Sequence, residues 1–181
     1  MAPARMSNFE RVQKLLDFIK HLDDNNMGFQ PHLELVSADD FEHDAGHRDH
    51  PHVVFAYTVQ PENCNRLGNM HGGATATLFD FCTSLALALA ATPAPSESAH
   101  AAASSNEEEE LFESWRRLGV SRTLAVTYVR PAPSGIQVLI DCEQLHAGRR
   151  MSSLRGILRR RSDGAVLATC EHGKVVQDVK L

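Results

Sequence analysis

Residues 63–91 read NCNRLGNMHGGATATLFDFCTSLALALAA. After His71 the run is almost wholly apolar and rich in Ala, except for one acid, Asp80. A carboxylate taken out of water is costly unless it is paired or put to use. A helix that is apolar nearly all round is either buried on every side or lodged in a membrane. Residues 74–91 only just reach spanning length and carry Thr75, Thr77, Asp80, Thr83 and Ser84, so no membrane span is expected. The expectation is a long central helix over 73–91, enclosed by a sheet and stopped by Thr92-Pro93 and Pro95.

The flanking segments supply that sheet. Residues 31–37 and 52–60 read as strands. From Val120 onward the pattern is β: SRTLAVTYVR, IQVLIDCEQL, MSSLRGILRRR and AVLATCEHGKVV alternate in polarity, and turns such as PAPSG and SDG separate them. Four strands on short loops suggest an antiparallel meander, giving about six strands and one long helix, an α+β chain. Upstream, Phe9, Val12, Leu15, Leu16, Ile19 and Leu22 form one helical stripe, opened by a Ser7/Glu10 capping box. The expected organisation is an amphipathic N-terminal helix within 1–30 packed on a domain of 31–181. A low-complexity acidic insertion interrupts that domain at about 92–118. LFESWRRLG, near its end, reads as a short helix or turn closing at Gly119.

Composition narrows the functional classes. A chain of 181 residues, 43% apolar and 23% charged, is long enough to bury one sizeable core. Its net charge of -5 argues against a nucleic-acid partner. Cys64, Cys82, Cys142 and Cys170 lack metal-binding or CxxC spacing and read as reduced thiols. His43, His47, His50 and His52 fit no familiar zinc spacing, so a solvated loop is expected there and no metal site. The N-terminus lacks the apolar core of a signal peptide. Arg5, Arg11, Lys14 and Lys20 would suit a mitochondrial presequence, but Glu10, Asp17 and Asp23 interrupt it, and a cytoplasmic location is expected.

The pattern N-x-x-G-x-x-H-G-G-(x)6-D, set by Asn65, Gly68, His71, Gly72, Gly73 and Asp80, resembles the hotdog-fold acyl-CoA thioesterases. The likeness is greatest to the phenylacetic-acid-pathway and thioesterase superfamily member 2 groups, and it extends over roughly 50–178. It implies a curved antiparallel sheet wrapped around the central helix, and hydrolysis of acyl-CoA to a carboxylic acid and CoA without metal or organic cofactor. The chemistry of the residues agrees. Gly72 and Gly73 open a helix, where backbone N–H groups are unsatisfied and the helix dipole is positive. Glycine lets a substrate approach the backbone, so these amides suit a thioester oxyanion. The resemblance gives that donor role to Gly72 and has Asn65 orient the carbonyl. His71 either braces the turn or contacts the substrate.

Asp80 lies seven residues past Gly73, about 10 Å along the same helix and on nearly the same face. That is too far for a base acting on a carbonyl held at the same helix start. Two copies with antiparallel central helices would bring each Asp80 to its neighbour's Gly72. The resemblance implies such a site across a homodimer interface, with dimers often paired as homotetramers. Asp80 would then activate water or attack the carbonyl directly, and a non-catalytic interface carboxylate is the plainer alternative. Ser121 falls where relatives place a serine that holds the attacking water, or it is simply a strand-start serine.

Ten arginines fall between Arg116 and Arg161, opposed there only by Asp141 and Glu143. Arginine forks suit the phosphates of CoA, and Arg149 and Arg150 at a turn and Arg130 beside a Pro-rich turn are the candidates. Leu78, Phe79 and Phe81 would line an acyl pocket or belong to the core. Two other activities share the fold: a non-catalytic acyl-CoA-binding module and a dehydratase. The dehydratase would need a histidine that the HGG turn already occupies.

Overall fold

The computed structural model describes residues 6–21, 28–38, 50–90, 111 and 114–175. The central helix, α2 (Gly72–Ala86), continues as a short 3-10 segment, Leu87–Ala90. Its residues Leu78, Phe79, Cys82 and Leu85 are almost completely buried. The run Gly72–Leu89 is apolar and long enough to cross a membrane, but 72% of it is buried inside the domain. Its apolar surface forms the core, as its all-round pattern requires.

Among the described residues the sheet has six strands: β1 (Leu33–Ala38), β2 (His52–Thr58), β3 (Val120–Tyr128), β4 (Gln137–Ala147), β5 (Met151–Arg160) and β6 (Val166–Val175). All pairings are antiparallel, in the order β1-β2-β4-β5-β6-β3. The six strands around one long helix are the expected hotdog architecture. The expected meander holds for β4, β5 and β6 only. β3 joins the far edge beside β6, and the segment from Val129 to Ile136 crosses one end of the sheet to reach β4. Backbone bonds fix this crossing: Val129 N–H to the Leu167 carbonyl (2.8 Å), Met70 N–H to that of Ala132 (2.8 Å) and Ser134 N–H to that of Gly68 (2.9 Å). Alternation tells which face a residue takes, not which strand lies alongside.

Helix and sheet meet closely at Gly156 of β5. A Cβ built there would stand 2.7 Å from the Phe79 ring and 2.8 Å from Cys170 Sγ, so only glycine lets α2 sit at this depth. Leu78 and Phe79 are therefore core residues, 1% exposed. Phe81 packs against Trp115, with ring centroids 6.3 Å apart.

The N-terminal helix, α1 (Asn8–His21), buries Val12, Leu15, Leu16 and Ile19, while Phe9 stays 39% exposed. Its capping box forms: Glu10 N–H donates to Ser7 Oγ (3.2 Å), and Ser7 N–H donates to Glu10 Oε2 (2.9 Å). Leu22, His43, His47 and most of the 92–118 insertion lie outside the described residues, which resume as a helical turn at 114–117. Cys82, Cys142 and Cys170 are buried free thiols and Cys64 is half-buried.

Candidate active site

The loop before α2 is shaped by its own side chains. Asn65 Oδ1 accepts from the N–H groups of Leu67 (2.9 Å) and Asn69 (3.3 Å), and Gly68 takes φ 74°. His71 is the N-cap of α2. Its Nδ1 accepts from Gly73 N–H at 3.0 Å, and its carbonyl accepts from Thr75 N–H at 3.0 Å. His71 thus braces the turn and occupies the Gly73 amide. The Gly72 N–H has no acceptor among the described residues. Gly72 lines a cavity of about 410 Å³ together with Asn65, Tyr128, Arg130, Leu158 and Leu167. The Tyr128 hydroxyl donates to the Gly72 carbonyl at 2.7 Å, and Arg130 Nη1 donates to the Val166 carbonyl at 2.8 Å.

Asp80 belongs to a second group. Its Oδ1 accepts a short hydrogen bond from the Ser121 hydroxyl. His172 Nε2 lies 3.0 Å from Ser121 Oγ and 3.2 Å from Asp80 Oδ1, and His172 Nδ1 lies 2.7 Å from Thr83 Oγ1. Thr83 gives its one hydroxyl proton to the Phe79 carbonyl at 2.6 Å, so His172 donates from Nδ1 and Nε2 faces the acid and the serine. Burial pushes the His172 imidazole down to about 4; the Lys174 charge adds to this and Asp80 opposes it. Lys174 is also lowered by burial, with Asp80 opposing. Its Nζ donates to Ser84 Oγ at 2.6 Å, and Ser84 donates to the Asp80 carbonyl at 2.6 Å.

The structure corrects one expectation about Asp80. Its side chain is 44% exposed in the single chain, not sealed in the apolar core. It emerges beside β3, the edge strand, where no further strand lies among the described residues. Sequence reading also missed His172 and Lys174. The signal was there: in CEHGKVV the alternation puts both on the inward face with Cys170, where a polar side chain calls for a reason.

Of the expected site residues, Asn65, Gly72 and Arg130 come together around the cavity, and Asp80 meets Ser121. The two groups are apart within one chain, since the eight residues from Gly72 to Asp80 span roughly 12 Å of helix. Arg149 and Arg150 are exposed in the β4–β5 turn, at the end of the sheet where β3 begins, because Met151 and Val120 both pair with Val175. The cavity is at the other end of β3, beside Tyr128. Among the described residues no cluster of three His, Cys, Asp or Glu side chains could hold a metal ion.

A family model described as "Thioesterase superfamily" matches residues 67–167, a stretch containing Gly72, Asp80 and Ser121. The chain belongs to the thioesterase superfamily. It is similar to acyl-coenzyme A thioesterase 13 of Mus musculus, with 28% identity over 122 residues, covering 67% of this chain and 71% of the relative. The Homo sapiens protein of the same name is 27% identical over the same shares. Among solved structures, zebrafish thioesterase superfamily member 2 superposes with a TM-score of 0.65 at 21% identity, covering 96% of this chain and all of that one. The E. coli PaaI protein of the phenylacetic acid degradation operon gives 0.55 at 13% identity, covering 93% and 94%. The family expected from the Asn65–Asp80 motif is the one that matches. The enzyme class expected with it, a thioester hydrolase, agrees with membership in the superfamily.

Proposed function

We propose that this thioesterase-superfamily chain hydrolyses acyl-CoA thioesters at sites shared by two copies. One observation carries the reading. The two incomplete groups stand at opposite ends of β3, Ser121 with Asp80 at one end and Tyr128 with Gly72 at the other. Among the described residues β3 pairs with β6 on one side only, and no strand pairs with its other edge. Seven residues of strand separate the two groups, roughly 23 Å. Antiparallel pairing of β3 with a two-fold mate sets the Ser121 end of one strand against the Tyr128 end of the other. Each Asp80 then faces the partner's cavity, and the Arg149–Arg150 turn comes to the same end.

In that arrangement the thioester carbonyl oxygen takes the Gly72 N–H, with Asn65 at the cavity wall orienting it. Asp80, held through Ser121 on one oxygen, uses the other to take a proton from water as the water adds to the carbonyl carbon. The oxyanion formed is stabilised at the positive end of α2. Its collapse breaks the C–S bond, and the thiolate takes the proton to leave as free CoA. Fixation of Asp80 by the Ser121 hydroxyl favours the water route over direct attack by the acid. Water is the only co-substrate such a hydrolysis requires. The name of the 28%-identical relative supports CoA as the thiol, and Arg130, Arg149 and Arg150 offer cations for its phosphates.

Mixing two inactive variants tests the shared site. The Asp80→Asn protein lacks the base, and the Gly72→Ala protein has its oxyanion amide crowded by a methyl group. A mixed dimer has one intact site, so exchange of subunits should restore about a quarter of wild-type thiol release at equal amounts. No recovery after verified exchange would refute a site built from two chains.

A further inference from the structure

We propose that Lys174 is a positioning residue. Its buried ammonium, tied through Ser84 to the turn of α2 that bears Asp80, keeps the Asp80–Ser121–His172 group in the charge state that hydrolysis needs. The inference rests on the thioesterase reading and adds a member to that site.

Lys174 is 5% exposed, a rare position for a cation unless it is paired or has a use. Among the described residues no carboxylate oxygen lies within ion-pair distance of it, and its hydrogen bond goes to the Ser84 hydroxyl at 2.6 Å. A methionine would fill the same space without the cost of desolvating a charge. Two successive α2 residues, Thr83 and Ser84, are bonded to two successive inward residues of β6, His172 and Lys174. Each hydroxyl also donates back to a carbonyl one turn earlier, Phe79 and Asp80 respectively. The charged strand is thus joined to the backbone of the acid itself.

The proton count shows what the charge does. His172 donates from Nδ1 to Thr83, so its Nε2 is a bare acceptor when the ring is neutral. An extra proton taken up by this group would sit on His172 Nε2 or on Asp80, and in either place it would weaken the base. A cation close by opposes that uptake. Among the described residues the other titratable groups of this part of α2 and β6 are the thiols of Cys82 and Cys170, both raised by burial and therefore neutral. Ser121 from β3 and Ser152 from β5, which pair with Lys174 in the sheet, carry no charge. Among the described residues Lys174 is the buried cation beside Asp80 and His172.

The test compares wild type with Lys174→Met in two measurements. The first is the pH profile of kcat/KM on an acyl-CoA thioester. Loss of the cation should move its acid limb up by about one pH unit, with KM little changed. An unmoved limb in an active, folded variant overturns the proposal. The second needs no turnover: the titration of His172, followed by NMR in histidine-labelled protein and assigned with His172→Gln. Its midpoint should rise by about one unit in Lys174→Met, and an unchanged midpoint overturns the proposal. If Lys174→Met does not fold, Ser84→Ala cuts the tether but keeps the cation. A smaller shift in the same direction is then expected in both measurements, and none overturns the proposal. A wild type that cleaves no CoA thioester would sink the functional reading, while the NMR titration still decides the role of Lys174.

Discussion

The Tyr128 hydroxyl donates to the Gly72 carbonyl at 2.7 Å, linking the end of an edge strand to the first residue of the central helix. The bond sets the aromatic ring against the first residue of the helix, at the wall of the cavity that both residues line. A Cβ at Gly72 would lie 3.3 Å from Tyr128 Cζ and Oη. The tyrosine is 55% exposed and can swing outward, so Gly72→Ala should fold normally. Its kcat/KM on an acyl-CoA should fall about a hundredfold, because a small displacement at the reacting carbonyl is expensive. Circular dichroism and thiol release on the same preparation check both halves of this statement.

Replacement of Asp80 by Asn keeps shape and removes the base. We expect kcat to drop by about 10²–10⁴-fold, with affinity for a non-hydrolysable CoA thioether unchanged within a few-fold. Ser121→Ala should lose less, since the acid persists and only its hydroxyl partner is gone. Isothermal calorimetry beside steady-state kinetics separates binding from chemistry. Full activity in Asp80→Asn would point to another base.

Stability should fall on mild acidification. His172 is 2% exposed and binds its proton at about 4 in the folded chain, against 6.5 when unperturbed. Between those values the unfolded chain takes up a proton that the folded chain refuses, so stability is lost as pH drops from 6.5 towards 4. The contribution is about 3 kcal/mol at most. Urea unfolding at pH 7 and pH 4.5 measures it, and His172→Gln should show a shallower pH dependence.

The arginines divide by location. Arg149 and Arg150 are exposed at a turn, without a partner among the described residues. The double change to Ala should raise KM for acyl-CoA several-fold, leave kcat alone, and lose its effect as salt screens the phosphates. Arg130 also bonds the Val166 carbonyl, so Arg130→Ala should lower Tm as well as raise KM. Differential scanning fluorimetry with kinetics at low and high salt tells these two patterns apart.

Much of this molecule was legible in advance because its motif is local. Asn65 to Asp80 occupy sixteen consecutive residues, and helix geometry alone showed that Gly72 and Asp80 are too distant to serve one carbonyl. The place of β3 was not legible, since the alternation of Leu124 and Val126 says nothing about which strand lies alongside. The exposure of Asp80 was misjudged because hydropathy averages over a helix and does not register which side the sheet leaves open. His172 and Lys174 lie about ninety residues beyond Thr83 and Ser84, and only the folded sheet makes them neighbours.

Gly156 has a bearing on how such an enzyme can change over time. Helix depth is set there by the absence of a side chain under Phe79, one residue before Asp80. A methyl group at that point would act as a shim, lifting the helix and carrying the acid with it. Drift at this unassuming strand position would therefore be felt as lost turnover, although nothing at 156 ever meets the substrate.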